Sequence, residues 1–228
     1  MSKYLDVIYN REEENYPEIL VDHLLRNYVG WDSPSGYVGK TLLDIGCGTE
    51  IESNLFRKYG LRVNGIDRDW GCYDETWRYR DLNIDKLPWE YVYFDFIFSK
   101  STIEHIYNTE HLLSEAYRVL KPGGKAIFLT PAWEYNYKWF YDDPTHIKPF
   151  CRKGLQDALK IAGFKNVEVE YFYHLPYTWQ YDIAKLIPKM IRLLPDNLRW
   201  KNEEETEHRV WIRFSKEVQL LAVAEKGG

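Results

Sequence analysis

The stretch LLDIGCGTE at residues 42–50 decides the fold of this 228-residue chain. It completes a short apolar run and has glycines at positions 46 and 48, where a backbone without a Cβ can turn tightly and approach a bulky ligand. Residues 52–59 then have helical spacing and end at Gly60. A buried strand, a glycine-rich turn and a helix in this order predict a Rossmann-like α/β fold, with a ligand at the carboxyl end of that strand.

The same alternation extends along the chain on both sides of this stretch. Helices are predicted at residues 16–28, 52–59, 109–120 and 155–162, and strands at residues 41–45, 61–66, 94–99, 125–130, 167–172 and 218–224. Strands that alternate with helices indicate a mostly parallel sheet covered on both faces, as in a three-layer α/β sandwich. An N-terminal helical segment at residues 1–40 and an aromatic, partly helical insertion at residues 176–213 complete one domain over residues 1–228.

Composition narrows the classes of function. A net charge of −5 and a pI near 5.7 argue against a general nucleic-acid binder. The cysteines form no closely spaced pair, so neither a disulfide framework nor a zinc site is indicated for Cys47, Cys72 and Cys151. The sequence opens without a signal peptide, and no apolar run approaches the roughly 18 residues of a membrane span. We therefore expect a cytoplasmic protein.

Two acidic residues lie where a nucleoside ligand would need them. Asp67 follows Gly48 by 19 positions and ends the second predicted strand. A carboxylate there can accept hydrogen bonds from both ribose hydroxyls. Asp81 lies further along the chain, where we expect it to meet the adenine amino group.

A dinucleotide-dependent dehydrogenase would share the strand, the loop and the distant acid. Its GxGxxG loop, however, requires glycine at position 51, which is Ile51 here. A diphosphate also favours a helix start without acidic residues, whereas Glu50 and Glu52 lie at this one. Negative charge at that point would repel a diphosphate and tolerate a cationic sulfonium. The charge pattern therefore favours S-adenosylmethionine.

Five motifs in this order resemble class I S-adenosylmethionine-dependent methyltransferases, from about residue 37 to residue 226. They are LDIGCGT at residues 43–49, Asp67, Asp81, FDFIFS at residues 94–99 with EHI at residues 104–106, and VLKPGG at residues 119–124. The resemblance implies a seven-stranded sheet with an antiparallel last strand, S-adenosylmethionine as cofactor and S-adenosylhomocysteine as product. It implies cofactor-binding roles for Asp44, Gly46, Cys47, Gly48, Asp67, Arg68, Asp81, Leu82 and Ser99. Glu50 departs from the family, which usually has a third glycine there.

The segment DDPTHIKPF at residues 142–150 follows the fourth long strand, so we expect it to lie over the methyl group of the cofactor. It resembles the Asp-Pro-Thr-His stretch of methyltransferases encoded with glycan and polysaccharide pathways, many of them sugar O-methyltransferases. Methylation of an alcohol requires a base, and His146 is the candidate. Asp143 would orient its imidazole or hold a sugar hydroxyl. His105 is a rival base, and substrate contact or a purely structural role for His146 remain open.

Metal ligands are not indicated, since Asp142 and Asp143 alone lack the spacing of a metal site. An aromatic stretch predicts a binding groove, a hydrophobic lid or a dimer contact, and it comprises Trp133, Tyr135, Tyr137, Trp139, Phe140 and Tyr141. Lysines lie among the helically spaced apolar residues of the insertion. These apolar residues are Ile183, Leu186, Ile187, Met190, Ile191 and Leu194. This pattern predicts a helix that covers the active site or packs in a homodimer, or one that rests on a membrane surface near a lipid-linked acceptor. Pro188 would break or kink that helix.

The sequence thus predicts an S-adenosylmethionine-dependent O-methyltransferase that acts on a sugar or glycan hydroxyl by direct displacement with a general base. One alternative keeps the fold and changes the acceptor to a quinone, a phenol, a lipid or another small metabolite. The other alternative is a non-catalytic accessory subunit that binds the cofactor. A small-molecule or glycan acceptor is expected as the partner, and nucleic acid is not.

Overall fold

The computed structural model describes residues 16–29, 37–68, 77–199 and 208–228. The predicted segment before residue 16, most of the loop predicted at residues 30–39 and residues 200–207 of the insertion lie outside the described residues. The strands are β1 Thr41–Ile45, β2 Arg62–Asp67, β3 Trp77–Tyr79, β4 Phe94–Lys100, β5 Leu120–Pro131, β6 Lys165–Phe172 and β7 Gln219–Glu225. The α-helices are α1 Tyr16–Asn27, α2 Ile51–Lys58, α3 Thr109–Val119, α4 Trp133–Asn136, α5 Arg152–Ile161, α6 Tyr177–Gln180, α7 Leu186–Ile191 and α8 His208–Lys216.

Within the described residues the strands form one seven-stranded sheet in the order β3-β2-β1-β4-β5-β7-β6. Strands β1 to β5 pair in parallel, and β7 runs antiparallel to both β5 and β6. The Rossmann-like fold and the antiparallel last strand are therefore confirmed. The direction of the crossovers reverses between β1 and β4, and ligands of open α/β sheets bind at the carboxyl ends of the strands at such a point.

The sequence patterns locate six of these strands and miss β3. This strand has three residues and pairs only with the end of β2, from Gly65 to Asp67. A run of three residues is too short to show alternation, so periodicity could not reveal it. Strand β5 also begins at Leu120 instead of residue 125, because Leu120 already pairs with Phe94 before the glycine turn.

Alternating side chains place the two layers of helices on opposite faces of the sheet. Phe98 of β4 packs in a cluster with α1 and α2, whose inner residues include Leu20, Leu24 and Phe56. Its neighbour Ile97 belongs to the other cluster, which contains the inner residues of α3 and α5, namely Leu112, Leu113, Ala116, Leu155 and Leu159. Consecutive residues of a strand point to opposite faces, so the buried run of β4 holds both layers.

Asp95 fixes three strands at the edge opposite the glycine-rich loop. Its Oδ2 accepts hydrogen bonds from the Thr41 amide at 2.9 Å, the Thr41 hydroxyl at 2.8 Å and Lys121 Nζ at 2.9 Å. Although partial burial opposes ionisation, these bonds lower the pKa of Asp95 to about 2. The carboxylate therefore joins β1, β4 and β5.

The insertion does not form the continuous amphipathic helix predicted over residues 183–194. A 3₁₀ turn at Asp182–Lys185 precedes α7, and a second turn follows at Asp196–Arg199. Pro188 lies in the first turn of α7, where its missing N–H leaves no helical bond unmade, and this explains why the helix restarts at Leu186. Across the described ranges, no helix combines the length and the apolar character that a bilayer crossing requires.

Candidate functional site

The glycine-rich loop lies at the end of β1, beside the point where the crossovers reverse. Gly46 has a φ of +76°, and a Cβ there would lie 2.0 Å from the Thr102 hydroxyl oxygen. Gly48 has a φ of +47°, and no described atom lies within 4 Å of the Cβ that it lacks. Gly46 thus lets the loop pack against the segment after β4, while Gly48 leaves room for a ligand to approach the backbone.

Asp67 lies directly beside this loop. Its Oδ2 accepts a hydrogen bond from the Gly48 amide at 2.9 Å. The Arg80 amide donates to the Asp67 carbonyl at 3.2 Å. This bond joins the residue after β3 to the last residue of β2. Asp81 follows at the same edge of the sheet. The structure therefore places Asp67 against the loop and Asp81 at the same edge of the sheet, and the exposed Arg68 follows Asp67.

Asp81 is ordered by its own turn. Its Oδ1 accepts from the Asn83 amide at 3.0 Å and from Asn83 Nδ2 at 2.8 Å, and these two bonds lower the pKa of Asp81. Leu82 is buried. Asp81 is consequently held as a carboxylate with one oxygen engaged in the turn, next to an apolar side chain.

Three other predicted cofactor residues lie beneath the loop. Ser53 donates to Asp44 Oδ2 at 2.6 Å, and burial raises the pKa of Asp44 to about 8. The Ser99 hydroxyl donates to the Ile45 carbonyl at 2.9 Å, and the Cys47 side chain is buried. In these positions the side chains of Asp44 and Ser99 support the end of β1 and the start of α2.

The two acids at the start of α2 are each paired with a cation, so less of their negative charge would act on a ligand than the sequence suggests. Glu50 Oε1 lies 3.0 Å from Arg57 Nη2, and Glu52 Oε1 lies 2.6 Å from Lys100 Nζ. Each carboxylate has a cationic partner on the protein, so the predicted repulsion of a diphosphate is weaker than expected. Ile51 remains the feature that departs from a dinucleotide loop.

The DDPTHIKPF segment at residues 142–150 is attached to the residues that follow β4. The amides of Ile147 and Lys148 donate to the Glu104 carbonyl at 2.8 and 2.9 Å. This attachment brings the rings of His105 and His146 to a centroid distance of 4.8 Å. The sequence presented these two histidines as rivals, whereas the structure places them side by side.

Each histidine is oriented by a backbone carbonyl. His105 Nδ1 lies 3.1 Å from the Thr145 carbonyl oxygen, and His146 Nδ1 lies 2.5 Å from the Phe140 carbonyl oxygen. A carbonyl can only accept, so each ring has its proton on Nδ1 and a lone pair on Nε2. Burial, and then the neighbouring His146, lower the pKa of His105.

Asp143 lies beside His146 and is held by Thr145. Its Oδ1 accepts from the Thr145 hydroxyl at 2.7 Å and from the Thr145 amide at 2.9 Å. Its Oδ2 lies 3.8 Å from His146 Nε2. The Phe140 carbonyl therefore holds the Nδ1 side of the His146 imidazole, and the Asp143 carboxylate lies near its opposite nitrogen.

Glu104 is a residue that the sequence did not single out for chemistry. Its side chain is fully buried, and Oε2 accepts from the Thr130 hydroxyl at 2.9 Å. Its Oε1 has no hydrogen-bond partner among the described residues. Burial raises the pKa of Glu104 to about 8. Its position in the EHI motif was the available signal, because that motif follows β4 at the same edge as the loop.

The aromatic stretch packs largely against itself. Trp133 contacts three neighbouring rings, those of Tyr137, Phe140 and Tyr141. Phe140 is buried, whereas Tyr137 and Tyr141 are exposed. An open groove of about 420 Å³ is lined by Tyr107, Asn108, Thr109, Glu110, Ile147 and Lys148.

Comparison with known proteins gives a consistent family. The methyltransferase domain family matches residues 14–169, which is more than half of the chain. Phosphoethanolamine N-methyltransferase 2 of Caenorhabditis elegans is 29% identical over 152 residues, which cover 58% of this chain and 34% of that protein. Malonyl-[acyl-carrier protein] O-methyltransferase of Serratia marcescens is 33% identical over 105 residues, which cover 43% of this chain and 41% of that protein.

The chain spans between a third and a half of the length of these two curated relatives. Among solved structures, a SAM dependent methyltransferase from Archaeoglobus fulgidus has a TM-score of 0.60 at 21% identity, covering 92% of this chain and 94% of that one.

Proposed function

This chain belongs to the methyltransferase domain family, and from that membership we propose that it transfers a methyl group from S-adenosylmethionine to an acceptor hydroxyl. The acceptor oxygen attacks the methyl carbon directly as the bond from that carbon to sulfur breaks. The hydroxyl proton passes to a base, and S-adenosylhomocysteine is released. The observation that carries the proposal is the open approach to the Gly48 backbone beside Asp67, at the reversal of the crossovers. A Cβ at position 48 would fill that approach.

The cofactor supplies an electrophilic methyl group, and the chain supplies the groups that hold it. The Asp67 carboxylate would accept hydrogen bonds from the ribose hydroxyls, and Asp81 and Leu82 would lie on either side of the adenine. The backbone at Gly46 and Gly48 lies against the ligand. Asp44, Cys47 and Ser99 support this surface from below, and Arg68 lies at its rim. The supporting observations are the bond from the Gly48 amide to Asp67 and the position of Asp81 past the end of β3.

The chain would remove the acceptor proton at His146. The Phe140 carbonyl keeps the proton of the imidazole on Nδ1, so Nε2 is the atom that can accept one. A positioned base contributes roughly 10² to 10⁴ to the rate, and alignment of the two substrates contributes the larger part. His105 and Asp143 would border the acceptor, because their side chains lie beside the His146 ring.

The proposed acceptor is a sugar or glycan hydroxyl. Its support is the Asp-Pro-Thr-His resemblance at residues 142–150 together with the exposed rings of Tyr137 and Tyr141, on which the C–H faces of a sugar can stack. The two curated relatives are instead named for phosphoethanolamine and malonyl-[acyl-carrier protein], so acceptors differ widely within the family.

Calorimetric titration tests the cofactor assignment. We expect purified protein to bind S-adenosylhomocysteine with micromolar affinity and to show no binding of NAD. Asp67→Ala should weaken the S-adenosylhomocysteine affinity strongly, since it removes the proposed ribose ligand, whereas Asp95→Asn is a control on the far edge of the sheet. Near-normal affinity of the Asp67 variant would place the ribose elsewhere.

Transfer of a labelled methyl group tests the acceptor and the base. Glycan fractions, quinone precursors and phenols are compared as acceptors with the wild-type protein. We expect His146→Gln to retain S-adenosylhomocysteine binding and to lower turnover about a hundredfold. Intact cofactor binding without turnover on any acceptor would favour the accessory-subunit alternative.

A further inference from the structure

We propose that Glu104, His105 and His146 form a binding site for one divalent metal ion of the zinc type. The three residues each offer one ligand atom, and these atoms lie within 4.8 Å of one another. Ligands of a zinc ion lie about 2.0 to 2.2 Å from it, so the atoms of a tetrahedral site are roughly 3.4 Å apart. Binding of an ion would draw the three ligand atoms together from the spacing that they have here.

The carboxylate gives the first independent reason. Glu104 Oε1 is buried and has no hydrogen-bond partner within the described part of the chain, while Oε2 is held by the Thr130 hydroxyl. A buried polar atom that lacks a partner costs about 1 to 3 kcal/mol. A cation bound at Oε1 would satisfy this atom, and the bond from Thr130 fixes the carboxylate as an outer partner of a metal ligand commonly does.

The histidines give the second reason. Metal-ligating imidazoles usually donate their other N–H to a backbone carbonyl, which fixes the tautomer and the direction of the ring. His105 and His146 both do so, with Thr145 and Phe140 as the carbonyl partners. The Thr145 hydroxyl donates to Asp143, so its oxygen accepts a second bond from His105 Nδ1. In this tautomer Nε2 is the ring atom through which each histidine would bind a metal ion.

The donor set indicates the class of ion. Two imidazoles and one carboxylate suit zinc and related transition-metal ions, whereas magnesium and calcium prefer a set of oxygens. Three protein ligands also leave one coordination position open, as in zinc sites that bind a further small ligand. The Asp143 carboxylate, 3.8 Å from His146 Nε2, lies beside the cluster and would contribute further negative charge.

This inference goes beyond the proposed function and revises the sequence-based expectation that the chain holds no metal. An ion would occupy the lone pair of His146 that the proposed base uses. Metal binding and proton acceptance at this atom therefore exclude each other in one molecule. The test accordingly measures the ion itself.

The experiment titrates tag-free, chelator-stripped protein with Co²⁺ and follows the visible absorption of the bound ion, then displaces it with Zn²⁺. We expect one equivalent of Co²⁺ to bind. Glu104→Gln and, separately, His146→Gln should weaken the affinity by about tenfold or more. His111→Gln is the matched control, because His111 lies on α3 outside the cluster and its Nε2 donates to the Asp85 carbonyl oxygen at 3.0 Å.

S-adenosylhomocysteine binding is measured on the same preparations, and it shows that each variant is folded. Absence of stoichiometric Co²⁺ binding would overturn the inference, as would unchanged affinity in both cluster variants. Loss of S-adenosylhomocysteine binding by the wild-type protein would overturn the proposed function and leave the metal result standing. His146→Gln keeps the metal test decisive if the Glu104 variant does not fold.

Discussion

At the scale of single residues, Glu50 occupies the position where the family usually has a third glycine. Its φ of +62° is left-handed, so the loop keeps the conformation that glycine would adopt although the residue has a Cβ. The Arg57 guanidinium, 3.0 Å from Glu50 Oε1, partly offsets the strain. The departure in sequence is therefore not a departure in backbone geometry.

Glu50→Gly should have a free energy of unfolding about 1 kcal/mol higher than that of Glu50→Ala. Both variants lose the ion pair with Arg57, and only glycine relieves the left-handed backbone. Urea denaturation of the two variants measures the difference directly. Equal stabilities would show that the loop is not left-handed at this position in solution.

Gly46 and Gly48 should respond differently to alanine. A Cβ at position 46 would meet Thr102 Oγ1 at 2.0 Å and its Cγ2 at 2.4 Å, so Gly46→Ala should lower the free energy of unfolding by about 3 kcal/mol. Gly48→Ala meets no described atom and should cost only about 1 kcal/mol from its left-handed backbone.

The Gly48 variant should nevertheless bind S-adenosylhomocysteine less tightly, because its Cβ fills the proposed approach of the ligand. Urea denaturation and calorimetry on each variant separate folding from binding. A Gly48 variant with unchanged affinity would remove the ligand from that approach, whereas a stable Gly46 variant would contradict the contact with Thr102.

At the scale of elements, the insertion depends on one buried lysine. The Lys216 side chain at the end of α8 is 1% exposed, and its Nζ donates to the carbonyls of Arg192 and Leu194 at 3.2 and 2.6 Å. It also lies 3.1 Å from Asp196 Oδ1. The carbonyls at the end of a helix need such donors, so this ammonium caps α7 and holds it to α8.

Lys216→Met should lower the free energy of unfolding by about 2 kcal/mol, because three acceptors lose one charged donor. Hydrogen exchange should accelerate most at residues 186–199, next to those acceptors. Lys189→Met, on the exposed side of α7, is the matched control and should change neither quantity. Uniform exchange in both variants would mean that Lys216 does not hold the insertion.

Periodicity predicts the long elements well and the short ones poorly. Strands β1, β4 and β6 have five or more residues each, whereas β3 has three and is positioned by its pairing with β2. The apolar spacing over residues 183–194 predicted helix, and α7 covers only part of it. Ile183 in the preceding 3₁₀ turn and Leu186, Ile187 and Met190 of α7 are exposed. A spacing of 3.6 residues identifies a helical face, but what covers that face depends on residues distant in sequence.

At the scale of the whole molecule, the parallel sheet assembles the site from distant segments. Gly48, Asp67, Glu104 and His146 follow four different strands, and parallel strands end at the same edge. The glycine-rich loop and its acids could therefore be predicted from the order of motifs. The contact between His105 and His146 could not be predicted in this way. It depends on two hydrogen bonds that the backbone amides of residues 147 and 148 donate to the Glu104 carbonyl.

The acid limb of the stability curve should depend on His174, which lies after β6 and shares a hydrogen bond through Nδ1 with the Tyr16 hydroxyl of α1. Burial, and then the charges of Lys100 and Arg213, lower the pKa of His174 from 6.5 to about 3. Between these values the unfolded chain binds a proton that the folded protein does not, so stability is complete above pH 6.5 and is lost as the pH falls. The slope is at most about 1.4 kcal/mol per pH unit.

His174→Gln should reduce the loss of stability between pH 7 and pH 5 by about 1 to 2 kcal/mol in urea denaturation, and His111→Gln is the control. An unchanged pH slope would mean that His174 is protonated in the folded protein.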